Sequence, residues 1–255
     1  NDLKPTGFIQ YDNVSYVAFA KQYLDSDKSK IFYSNPFNDN DNYQPIYFQT
    51  QTLLFAGLLK IGIPPGWILI PFTLICSLIC FRLLIVIYDH LFPSTKYRTI
   101  SLWLFAWGGG LLTVSGFFTQ LLYGSSIVNS VFFLDPGSGW WGLNFGRSLF
   151  FSCEAYYHML FLSVIYSLLK QKWAIALTIS AVLSISHPFT GIELLGITSA
   201  WLLIEKIIFK NKHIPAWLVV GEVLILLFHL YYYLYHLNQF DDHRSVNEQY
   251  ALNWR

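Results

Sequence analysis

Charge is what this chain has least of. Lysine, arginine, aspartate and glutamate together make up 12% of its 255 residues, about half the share of an ordinary soluble domain. So few charges do not cover a water-facing surface. The overall balance of +1 excludes the basic face that nucleic acid requires. Cysteine is scarce as well, with three residues. Cys76 and Cys80 stand one helical turn apart in an apolar run, and Cys153 lies in another. None of their spacings is that of a thiolate metal site, and all three read as small apolar core residues. No phosphate-binding glycine loop or zinc spacing names a chemistry outright.

What is there is apolar and aromatic. Hydrophobic residues make up 54% and aromatic residues 19% of the chain, and its mean hydropathy is +0.42. That composition belongs to the membrane class. A helix needs about 20 mostly apolar residues to cross a bilayer. The sequence offers such segments at 45–62, 66–91, 99–116, 147–169, 172–188, 190–209 and 214–236. A weaker stretch, 117–134, is long enough to be an eighth. The breaks carry helix-stopping residues: Gly62 to Gly66, Pro93 to Lys96, Asp135 to Gly139, and His187-Pro188. The expected fold is therefore all-α, a polytopic transmembrane helical bundle over 44–236 with seven or eight spans. Ahead of it, 1–43 is expected to be an extracytoplasmic loop with a short interfacial helix. Val14, Val17, Ala18, Tyr23 and Leu24 recur there at amphipathic spacing. Residues 237–255 would begin a further extracytoplasmic loop. The chain starts at Asn1 and stops in a polar run, and is expected to be part of a longer protein.

Orientation follows from lysine and arginine bias. Lys170 and Lys172 mark one connection; Lys206, Lys210 and Lys212 mark another, two spans later. Both are expected inside, which puts His187–Gly191 and 239–255 outside. Residues 1–43 fall outside only when 117–134 also crosses.

Ionisable groups near or within membrane spans are expensive and are functional hypotheses by default. Asp12, just ahead of the amphipathic segment, suits a general base or metal ligand at the membrane boundary. It equally suits a helix cap, and the two roles are compatible. Arg147, Glu154 and His158 stand seven and four residues apart, within a narrow wedge of one helical face. Such a set binds an anionic headgroup, or else bonds helices together. His187, followed by Glu193, sits at the outer interface, where it either caps a helix or faces substrate. Glu222, His229 and His236 recur every seven residues as a stripe, either a proton relay or a set of interhelical bonds. Asp39 and Asp41 are solvated loop carboxylates or metal contacts. Trp140 and Trp141 anchor an interface or stack on a sugar.

The order of these features resembles the GT-C superfamily of polytopic glycosyltransferases, which includes the protein mannosyltransferases and the aminoarabinose lipid A transferases. The residues that carry the resemblance are Gly7-Phe8-Ile9-Gln10-Tyr11-Asp12 opening the outer loop, the interfacial helix, and Gln44-Pro45-Ile46-Tyr47 leading into a train of spans. The resemblance implies a sugar donor carried on polyprenyl phosphate and a catalytic or metal-associated carboxylate in the first loop, matched by Asp12. It implies a divalent metal ion as the cofactor to look for, though Asn13 stands where a second acidic residue is frequent. It also implies a first span lying before Asn1. Arg147, Glu154 and His187 are nominated for the carrier phosphate by geometry alone. The expected partners are membrane lipids, a lipid-linked sugar donor and an acceptor that the sequence does not name. The expected location is a bacterial inner (plasma) membrane, multi-pass, in the cell envelope. Two other functions stay open: an O-antigen polymerase or ligase-like enzyme, and a proton-coupled transporter or flippase using the Glu222–His229–His236 stripe.

Overall fold

A computed structural model describes residues 12–25, 31–34, 44–94, 96–107, 122, 152–241, 243 and 244; the side chains of 12–14 and 25 lie outside that description. The described residues are helical, with one isolated antiparallel bridge between Tyr33 and Tyr47. The helices are α1 (Asp12–Asp25), α2 (Thr50–Lys60), α3 (Pro65–Leu91), α4 (Arg98–Trp107), α5 (Ser152–Leu169), α6 (Trp173–Ser184), α7 (Pro188–Leu203) and α8 (Ala216–Leu230). α7 runs on as a π-helix over Ile204–Ile208. α8 runs on as a π-helix over Tyr231–His236 and a short 3-10 turn over Leu237–Gln239.

Among the described residues two helices are long and apolar enough to cross a membrane: Pro65–Leu91, and α8 with its continuation, Ala216–Gln239. Most of the apolar stretch of each is unburied. On α8 the exposed side chains are Trp217, Val220, Leu224, Leu227, Phe228, Tyr231, Leu234 and Tyr235, while Glu222 and His229 are only 2% and 3% exposed. This pattern is the reverse of a water-soluble helix, which turns its apolar stripe inward. The other helices sit where the sequence predicts spans but are shorter or more polar. α6 has 12 residues. α7 with its continuation carries Glu193, Glu205 and Lys206. Residues 117–134 lie outside the described residues.

Two boundaries differ from expectation. The segment predicted to be helical from residue 45 is extended as far as Gln49, and α2 starts at Thr50. Pro45 has no N–H, and the N–H and carbonyl of Tyr47 are both engaged by Tyr33, at 3.0 and 2.9 Å. That bridge satisfies the backbone without a helical turn. At the other boundary, Pro188 does not end a span. It occupies the first turn of α7, where a missing N–H costs nothing.

The chain forms two compact units, Asn1–Pro71 with Ser163–Arg255, and Phe72–Leu162. In the second, Cys80 and Leu84 of α3 pack with Leu102 and Ala106 of α4 and Met159 and Leu162 of α5. Cys76, Cys80 and Cys153 are buried and form no disulfide, the core role their spacing predicts. Arg98 at the foot of α4 holds Asp89 of α3 through two bonds of 2.8 Å. In the first unit α1 packs on α2, and α6, α7 and α8 pack on one another, with α7 running opposite to α6 and α8. Tight turns make this possible: Gln171 and Lys210 take left-handed conformations at φ 55° and 50°. The lysine-bearing turns 170–172 and 206–212 therefore share one end of this three-helix group. The α6–α7 break and the end of α8 share the other.

Candidate functional site

The end of the first unit that carries the α6–α7 break gathers polar and aromatic side chains from four segments. The break begins where α6 stops at Ser184. His187 then takes an extended conformation (φ −150°, ψ 124°) and caps α7, its Nδ1 accepting from the Thr190 N–H at 3.1 Å and lying 2.9 Å from Thr190 Oγ1. The helix cap left open by the sequence is thus realised at His187. Thr50 at the start of α2 bonds Ser186 through their hydroxyls.

α8 closes onto the same break. His229 sets Nδ1 2.9 Å from the Ser184 carbonyl and Nε2 3.0 Å from the Pro188 carbonyl. Its ring also meets Tyr233 at 4.6 Å. Two turns earlier, Glu222 accepts from Ser180 of α6 at 3.1 Å and from Thr198 of α7. Of the two readings of the stripe, interhelical bonding describes Glu222 and His229. His236 does something else. Residues five apart align in a π-helix, and the His236 ring stacks on Tyr231 at 6.1 Å and on Tyr232 at 5.9 Å.

A strap of extended chain faces this end of α8. It consists of Ile31–Ser34 and residues 44–49, joined by the Tyr33–Tyr47 bridge. Gln22 of α1 clamps it: the amide donates to the Ser34 carbonyl at 3.0 Å and accepts from the Ser34 N–H and hydroxyl at 2.9 Å each. Phe19 stacks on Tyr33 at 4.6 Å. The Tyr232 hydroxyl donates to the Ile46 carbonyl at 2.8 Å. Beyond α8, His243 Nδ1 lies 3.0 Å from the Tyr47 hydroxyl. Burial pushes the Tyr33 phenol well above its ordinary value, with the neighbouring tyrosines adding to the shift. It holds the His243 imidazole below its own.

Between strap and α8 lies a groove of about 450 Å³, lined by Ile31, Phe32 and Phe48 of the strap, Ile185 of the break, and Phe228, Tyr231, Tyr232 and His236 of α8. No known family, curated protein or solved structure matches this chain. The chemistry of the groove therefore has to be read from its own walls. They are aromatic and aliphatic, with His236 supplying an imidazole, and such a surface suits a hydrocarbon chain. Its mouth is continuous with the exposed apolar face of α8, through Phe228 and Tyr231.

The predicted site residues distribute unevenly. Asp12 opens α1, the helix that clamps the strap; its side chain lies outside the described residues. Arg147, Asp39, Asp41, Trp140 and Trp141 also lie outside them. Glu154 and His158 belong to the second unit, where they meet on one helix face: His158 Nδ1 is 2.8 Å from the Glu154 carbonyl and 3.8 Å from its carboxylate. His187 is at the break, and Glu193 is exposed on α7. Among the described residues no three His, Cys, Asp or Glu side chains stand together as a metal site would need. Gln22, Ser34 and His243 are not singled out by the sequence, and Tyr47 and Tyr232 are not singled out for the contacts they make. They act through pairings up to 196 residues apart, and no local spacing signals those. The tyrosine run 231–233 is visible in the sequence, but as an interfacial belt.

Proposed function

We propose that the chain is the core of a multi-pass membrane glycosyltransferase. It moves a sugar from a polyprenyl-phosphate donor to an acceptor at the extracytoplasmic face. One observation carries the reading: a helix opening at Asp12 is clamped to a strap that walls an apolar groove, and the groove opens onto the apolar face of a helix long enough to cross a membrane. A lipid-linked substrate needs that combination. Its chain must enter sideways from the bilayer, while its reacting headgroup stays at the water boundary where α1 lies. The inside-out distribution of polar and apolar side chains on α8 supports membrane residence. The lysine turns at the far end support an outward-facing groove. Asp12 then acts on the acceptor, either as a general base or through a metal ion. His187 is the group assigned to the carrier phosphate.

The test is Asp12→Asn in the full-length protein, assayed for sugar transfer from a polyprenyl-phosphate donor in membranes. The amide keeps the size and capping capacity of the carboxylate and removes its basicity. The expected outcome is loss of transfer with expression and helical content unchanged. Full activity in the variant removes Asp12 from the mechanism.

A further inference from the structure

The groove has one wall that is only fastened on. α8 and the break are continuous parts of a helical bundle, whereas Ile31, Phe32 and Phe48 belong to the strap. The strap is tied down at this end by the Tyr232 hydroxyl on the Ile46 carbonyl, by Thr50 on Ser186, and by His243 on Tyr47. The first two join neutral groups that do not titrate near neutral pH. The third joins a phenol to an imidazole, whose charge changes in that range.

We propose that the His243–Tyr47 contact is a proton-sensitive latch that holds the strap against the end of α8 and keeps the groove in its narrow form. In the neutral ring Nδ1 can offer a lone pair to the Tyr47 hydroxyl at 3.0 Å, and the two rings lie 5.7 Å apart. Adding a proton at Nδ1 reverses that bond, with the nitrogen now donating to the Tyr47 oxygen, and places a cation in a half-buried position. Among the described residues no ionisable group around it compensates. Tyr47 faces it from the strap. On its own turn, Asp241 and Arg244 pair with each other at 3.4 Å and are exposed. Asp242 precedes it, with its side chain outside the described residues. A cation there regains hydration only by leaving the strap.

The sign follows from burial. The latched imidazole sits below the ordinary histidine range, so the closed form binds the proton less readily than the open form. Closure is favoured above that range and is lost as pH falls towards the latched value. That opening admits a lipid-linked donor rests on the function proposed above. The latch itself does not, and it can be tested without substrate.

The experiment is a distance measurement between nitroxides on Gln44→Cys in the strap and Leu234→Cys on the exposed face of α8, in the full chain in lipid nanodiscs. The three native cysteines are buried. Spectra are compared at about pH 8 and about pH 5, either side of the histidine range. The expected result is one narrow distribution at the higher pH and a shift to longer, broader distances at the lower. His243→Phe removes the hydrogen bond and the titrating ring together, and should show the longer population to the same extent at both. Tyr47→Phe should show the longer population already at the higher pH. An unchanged distribution in the parent, or a pH shift that persists in His243→Phe, overturns the latch. If the parent shows no sugar transfer from a polyprenyl-phosphate donor while the distances still move, the enzyme reading fails and the latch stands.

Discussion

Gly191 illustrates how tightly a single residue is specified at the α6–α7 break. A Cβ added there would lie 2.8 Å from His229 Cε1 and 3.1 Å from Ser184 Cα. The backbone atom cannot yield, and the imidazole is held from both sides by the Ser184 and Pro188 carbonyls. Gly191→Ala therefore has to push α7 away from α8. The expected cost is about 1–3 kcal/mol, the range for overpacking a filled site, read as a lower unfolding temperature by circular dichroism in detergent. Gly196 on the same helix is the control. A Cβ added there would meet nothing within 4 Å, so Gly196→Ala should leave stability unchanged or raise it slightly through helix propensity. Equal losses from both would mean that close approach at His229 is not the cause. Nothing in the sequence distinguishes these two glycines, because the atoms that do so come from another helix.

At the scale of the element, α8 carries the clearest question left by the sequence: what a stripe of Glu222, His229 and His236 is for. Their seven-residue period was legible, and so was their shared face. Its use was not, because the partners sit on other helices. Ser180, Thr198 and the carbonyls of Ser184 and Pro188 are unremarkable in sequence, and only folding brings them to α8. A carboxylate that only accepts bonds can be replaced by an amide, whose oxygen accepts equally well. Glu222→Gln should thus keep stability within about 1 kcal/mol, the scale of a single hydrogen bond, and, on the function proposed above, keep sugar transfer. A variant that is folded and inactive would point instead to a proton moving through Glu222. The same division between period and partner holds elsewhere. Helix positions followed from apolar runs and from proline and glycine. The strap did not, because its extended backbone is satisfied by one long-range bridge, from Tyr33 to Tyr47, rather than by its neighbours.

For the whole molecule, the sequence left the side of residues 1–43 hanging on whether 117–134 crosses. The strap offers a route to the answer that does not pass through that stretch. Residues 44–47 are bonded to the C-terminal end of α8 through Tyr232 and His243, whereas Lys212 lies just ahead of its N-terminal end. Ala216–Gln239 has 24 residues, and at 1.5 Å per residue it is long enough for a hydrocarbon core of about 30 Å. When α8 crosses the bilayer, Gln44 and Lys212 must lie on opposite sides, whatever happens in between. Lysine bias puts Lys212 inside and Gln44 outside. The prediction is that Gln44→Cys reacts with a membrane-impermeant maleimide on intact cells, and that Lys212→Cys reacts only after permeabilisation. Both positions are exposed, and the native thiols are buried. Labelling of both from one side would mean that α8 does not span. Reversed labelling would leave α8 spanning but turn the groove to the cytoplasm, and the glycosyltransferase reading would go with it. The predicted pattern is also the one that an eight-span count requires, because seven crossings then separate Gln44 from Lys212.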